Sequence, residues 1–137
     1  MMELILVIAI MGILATIVVP VGISYYKRSL VDDARDQARE ILRKARSQSV
    51  LQKNDSRYGV SFWGHTITLF SGVSSTSNPS LNEDYVVVDR ISFSGTLVNP
   101  VYFAKRTGLP NATGTVVISD GETSRTITMD DFGNVSK

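Results

Sequence analysis

The chain holds few side chains that could act on a substrate. His65 is the only histidine and cysteine is absent, which excludes a two-histidine metal site, thiolate metal sites, a disulfide framework and a cysteine nucleophile. No serine lies in a G-x-S-x-G elbow, and phosphate loops of the G-x-x-x-x-G-K-[ST] or G-x-G-x-x-G kind are missing. An enzyme is therefore not expected, and no cofactor is. Asp130 and Asp131 with Asn134, and Asp120 with Glu122, offer oxygen ligands for Ca²⁺, but neither group has EF-hand spacing and turns are rich in the same residues, so both read as turn chemistry. His65, at the start of an expected strand, reads as a surface or packing residue. Three Asn-x-Ser/Thr triplets begin at Asn54, Asn111 and Asn134, and none reads as glycosylated. Lys105 and Arg106 beside Gly108 form a weak candidate nucleic-acid patch. The tail "MDDFGNVSK" is acidic with one terminal lysine, which does not suit a nucleic-acid site. One acid stands apart: Glu3 immediately precedes an apolar run that stays uncharged through Tyr26.

These residues need elements to position them. With 137 residues and a formal charge of +1, the chain has room for one domain and no strong overall field toward nucleic acid or acidic lipid. The first 26 residues are almost purely apolar, and the remainder of the chain is polar and rich in Ser and Thr. Three parts are expected: residues 1–26 as a transmembrane or filament-core helix, 27–55 as its amphipathic continuation, and 56–137 as a β-rich globular head. About 20 apolar residues cross a hydrocarbon core, so Leu4 to Ser24 is long enough to span, with Tyr25 and Tyr26 at interfacial depth. Pro20 removes one backbone bond and is expected to kink the helix, with the Thr16 hydroxyl available to the freed groups.

Beyond Lys27 the apolar spacing changes to three and four. Val31, Ala34, Ala38, Ile41, Leu42, Ala45 and Ser49 draw one stripe, with charges on the other faces and the pairs Asp36–Arg39 and Glu40–Lys44 at helical pairing distance. This predicts one long helix ending near Lys53-Asn54-Asp55. After it, "SRYGVSF", "HTITLF", "DYVVVD", "RISF", "PVYFAK", "GTVVIS" and "SRTITM" read as strands, with a hairpin turn at residues 120–123 and a last short strand at Val135. Residues 71–84, almost without apolar content, read as a mobile loop. The expected fold is α+β, with a long N-terminal helix, apolar in its first half and amphipathic in its second, packed on a small antiparallel sheet.

The segment "ELILVIAIMGILATIVVP" resembles the amino-terminal segment of type IV pilins and type II secretion pseudopilins nearly position by position. "ARDQAREILRKARSQSVLQKNDSRYGVSF" and "YFAKRTGLPNATGTVVISDGETSRTITMDDFGNVSK" are similar to the helix, first strand and carboxy-terminal pattern of the H-type minor pseudopilins and related minor pilins. The resemblance implies a pilin-like fold, with Glu3 as the family's glutamate near the mature amino terminus and Pro20 as its helix-kinking proline. It implies that Glu3 pairs with the amino terminus of a neighbouring subunit, that Leu4 to Val19 supply packing area, and that Gly12 permits close approach. The family's precursor has a short basic leader ending in Gly, followed by a methylated first residue. If such a leader is cut, the mature start is expected about two residues upstream of the one shown.

Three competing functions are weighed, and the first is the one expected. The first is a structural minor pilin or pseudopilin, stored in the bacterial inner membrane as a single-pass protein with its head on the periplasmic side. It would assemble through its helix with other pilins or pseudopilins, on an inner-membrane platform, to support protein export. The second is a minor pilin of a competence or adhesion pilus whose head binds DNA or a surface. The third is a membrane-tethered enzyme or sensor that uses the segment only as a tail.

Overall fold

The structure, a computed structural model, describes residues 2–97 and 100–136, with only the backbone described for residues 17–21. Helix α1 runs Met2–Val50, and its side chains are described in two stretches, 2–16 and 22–50. Eight strands come after it: β1 Tyr58–Trp63, β2 Thr66–Ser71, β3 Glu83–Val86, β4 Ser92–Gly95, β5 Val101–Tyr102, β6 Gly114–Ser119, β7 Ser124–Met129 and β8 Val135–Ser136. They form two antiparallel four-stranded sheets, ordered β3-β2-β1-β5 and β4-β6-β7-β8.

The stripe expected on the second half of the helix is its buried face: Val31, Ala34, Ala38, Ile41, Leu42, Ala45 and Ser49 are all buried. A three-four spacing places these side chains on one side of the cylinder, and that side meets β1 and β2 of the first sheet and β6, β7 and β8 of the second. Successive side chains point to opposite faces, and burial alternates accordingly over the second half of β6 and of β7, whereas Tyr58 to Val60 of β1 and Leu69 to Ser71 of β2 are buried without a break. From the first sheet Val60, Phe62, Ile67 and Leu69 face inward, and from the second Val116, Ile118, Ile127 and Met129. The sheets also meet each other, with the Phe62 and Phe93 rings 5.2 Å apart.

The expected fold is corrected here. There is not one small sheet but two, because the chain leaves the first sheet after β3, builds β4 on the second, and returns to pair β5 with β1 before β6. Nor is there a long apolar helix: the stretch 22–50 is amphipathic, and the apolar stretch is described over 2–16. At 1.5 Å per residue the latter covers roughly 22 Å, against about 30 Å of hydrocarbon core, and it contains Glu3. Among the described residues no helix is long and apolar enough to cross a membrane. The transmembrane helix, and with it the single-pass inner-membrane placement with a periplasmic head, is not supported. Pro20, and the kink expected there, lie outside the described residues.

Two smaller expectations also change. The helix ends at Val50, and the Lys53–Asp55 segment is a separate 3₁₀ turn entered through a left-handed Gln52 at φ 51°. Residues 71–84 are tied down by hydrogen bonds: Asn78 Nδ2 donates to the Ser71 carbonyl at 3.2 Å, Asn82 Nδ2 to the Ser75 carbonyl at 2.7 Å, and the Gly72 N–H to the Arg57 carbonyl at 2.8 Å.

Candidate functional site: an uncovered apolar helix face

Every side chain of residues 2–16 is exposed. Leu4, Ile5, Leu6, Val7, Ile8, Ile10, Met11, Ile13 and Leu14 lie between 49% and 68% exposed, and they surround the helix rather than forming a stripe. A helix apolar on all sides is normally enclosed. Burying one such side chain fully contributes about 1.5–3 kcal/mol, so covering this stretch is worth on the order of 10 kcal/mol even at partial burial. Glu3 sits in the first turn, where the helix dipole favours a carboxylate. At Gly12 an added Cβ would meet nothing within 4 Å, which leaves a notch on the helix where another backbone could approach. The Thr16 hydroxyl donates to the Ile13 carbonyl at 2.7 Å, within its own helix.

The head holds this rod at a defined place. Arg125 Nε on β7 donates to Asp32 Oδ1 at 2.8 Å, and Lys27 Nζ donates to Glu122 Oε1 at 2.7 Å in the β6–β7 turn. Farther along, Lys44 does not stay with Glu40. Its ammonium reaches Glu83 and the Tyr85 hydroxyl on β3. The hydrogen bonds that Lys44 donates to Glu83 and Tyr85 raise its pKa, and those that Glu83 accepts from Lys44 and Tyr85 lower the pKa of Glu83. At the helix end Ser49 Oγ accepts from the Tyr58 N–H at 2.7 Å and donates to the Tyr58 carbonyl at 3.3 Å, all buried.

The remaining candidates are elsewhere. Lys105 and Arg106 lie at the opposite end of α1 from Glu3 and Gly12. Lys105 Nζ pairs with Asp55 Oδ1 at 2.9 Å, Arg106 Nε donates to Gln52 Oε1 at 3.4 Å, and Arg106 takes a left-handed φ of 67°. Asp130 Oδ1 accepts the backbone N–H groups of Phe132 and Asn134, and Asp120 Oδ1 those of Glu122 and Thr123. These bonds close turns, and each holds its carboxyl below the usual aspartate range, for Asp130 first through the Asn134 side chain and for Asp120 first through the Thr123 N–H. Among the described residues no cluster of metal-ligating side chains occurs. His65 lies in the β1–β2 turn with Nδ1 2.7 Å from the Ile91 carbonyl. Sequence reasoning ends the first strand at Phe62 and passes over Trp63, which the structure leaves exposed on the face of the first sheet.

No family model, curated protein or solved structure matches the chain.

Proposed function

We propose that this chain is a structural subunit of a pilin-type filament, a minor pilin or pseudopilin of a type IV pilus or type II secretion pseudopilus, which joins its neighbours through residues 2–16. One observation carries the reading: a helix stretch apolar on all sides stands uncovered, while the continuation of the same helix is locked across two sheets by its buried stripe. A rod that is fixed at one end and apolar at the other is suited to packing side by side with similar helices. Such packing buries the apolar side chains and places Gly12 where backbones can come close. In that dry environment the Glu3 carboxylate is costly unless it is paired, so it selects the register in which a cationic group of a neighbour stands beside it.

Glu3→Ala tests the reading. In cells that make the complete set of subunits, the variant is expected to fold and accumulate but to be missing from sheared, sedimented filaments. Recovery of Glu3→Ala in filaments at the level of the unaltered chain would count against it.

A further inference from the structure

Trp63 is the only tryptophan of the chain, and it is 84% exposed. Cross-strand partners share a face of a sheet, so the register defines what surrounds it. Trp63 pairs with Thr66, which pairs with Val86, and the next row along the strands is Ser61, Thr68 and Asp84. By strand alternation all six side chains lie on the face of the first sheet opposite Val60, Phe62, Ile67 and Leu69, and Val86 is 71% exposed. The patch is about 10 Å across its three strands and extends about 7 Å from one row to the next. It combines one flat aromatic ring, one aliphatic side chain, three hydroxyls and one carboxylate. Thr68 Oγ1 donates to Asp84 Oδ1 at 2.6 Å, which fixes that carboxylate and leaves its second oxygen able to accept a hydrogen bond.

We propose that this face binds a neutral carbohydrate chain. A sugar ring presents one face of C–H groups and a rim of hydroxyls. The C–H face suits the electron-rich face of an indole, and the rim needs both donors and acceptors, which Ser61, Thr66 and Asp84 supply. Charge argues against a polyanion here, because the one charge in these two rows is the Asp84 carboxylate. Arg57 stands 5.6 Å from the Tyr102 ring, and Tyr102 pairs with Gly59, about 13 Å along β1 from Trp63. The inference is independent of the filament reading.

With a single tryptophan, fluorescence reports on this site alone. The full chain, dispersed in a detergent without a sugar headgroup, is titrated with cellohexaose, maltohexaose and chitohexaose. A saturable change is expected with at least one of them. Asp84→Ala should weaken that binding about tenfold. Trp63→Ala, followed by calorimetry, should abolish it without moving the urea midpoint. The proposal is overturned if none of the three sugars changes the emission, if Trp63→Ala binds as the unaltered chain does, if single-stranded oligothymidylate produces the change instead, or if protein concentration alone produces it, which would mean that a second copy covers the face.

Discussion

Asp32 on the helix and Arg125 on β7 meet at 2.8 Å although 93 positions separate them in the chain. Together with Lys27 and Glu122 at 2.7 Å, this pair ties the β6–β7 hairpin to the helix at the point where the apolar stretch leaves the head. Both pairs are partly exposed, so solvent screens them and each contributes little on its own. A double-mutant cycle of Asp32→Ala with Arg125→Ala, read by urea unfolding, should give a small favourable coupling that shrinks in high salt. A coupling of zero at low salt would mean that the Asp32–Arg125 pair does not help to hold the hairpin.

Ser49 should matter more than its size suggests. Its hydroxyl satisfies the buried Tyr58 N–H and reaches the Tyr58 carbonyl as well. Ser49→Ala leaves the N–H unpaired, at a cost of about 1–3 kcal/mol. The urea midpoint should fall with an unchanged m-value. An unchanged midpoint would show that the N–H finds another partner.

Leu42 is fully buried in the stripe. Leu42→Ala should destabilise the head by about 2–5 kcal/mol while leaving residues 2–16 as exposed as before. The loss is checked by urea unfolding, and the unchanged exposure by the proteolysis rate within the apolar stretch.

The burial stripe and the approximate position of the strands could be read from the sequence, because both depend on local spacing: Val31 to Ser49 at threes and fours, and β-branched runs such as "GTVVIS". The division into two sheets could not be read, since it depends on which distant strands pair. Strand β5 joins β1 although β2, β3 and β4, the last a strand of the other sheet, lie between them in the chain. Lys44 illustrates the same limit for charges. Helical spacing offers it Glu40, whereas the fold brings it Glu83 and Tyr85. Of the candidate site, Glu3 and Gly12 stood out from their surroundings in the sequence. Trp63 did not, because only the strand register shows it beside Thr66 and Val86.

Acid should weaken the head. The Asp130 pKa is lowered first by the Asn134 side chain and then by the Asn134 backbone N–H, and that of Glu83 by Lys44 and Tyr85. A carboxylate with a depressed folded pKa stabilises the fold above its unfolded value, about 3.9 for Asp and 4.3 for Glu, and loses that contribution as pH falls through the folded value. Lys44, with its pKa raised, contributes fully below its unfolded value of about 10.4 and loses the contribution as pH rises through the folded one. Stability should therefore be level near neutrality, fall below about pH 4, and fall again above about pH 10. Asp130→Asn should reduce the acid loss. An unchanged acid loss in Asp130→Asn, read by urea unfolding below about pH 4, would contradict the assignment to Asp130.

The central claim is that residues 2–16 are covered by neighbouring chains in the assembled state. The chain has no cysteine, so Ile10→Cys, at a position 49% exposed in the single chain, places one thiol within the stretch and none elsewhere. Maleimide labelling of that thiol, compared between dispersed chains and sedimented filaments, tests the claim directly. The account predicts fast labelling of dispersed chains and protection in filaments; equal labelling in the two states would contradict it.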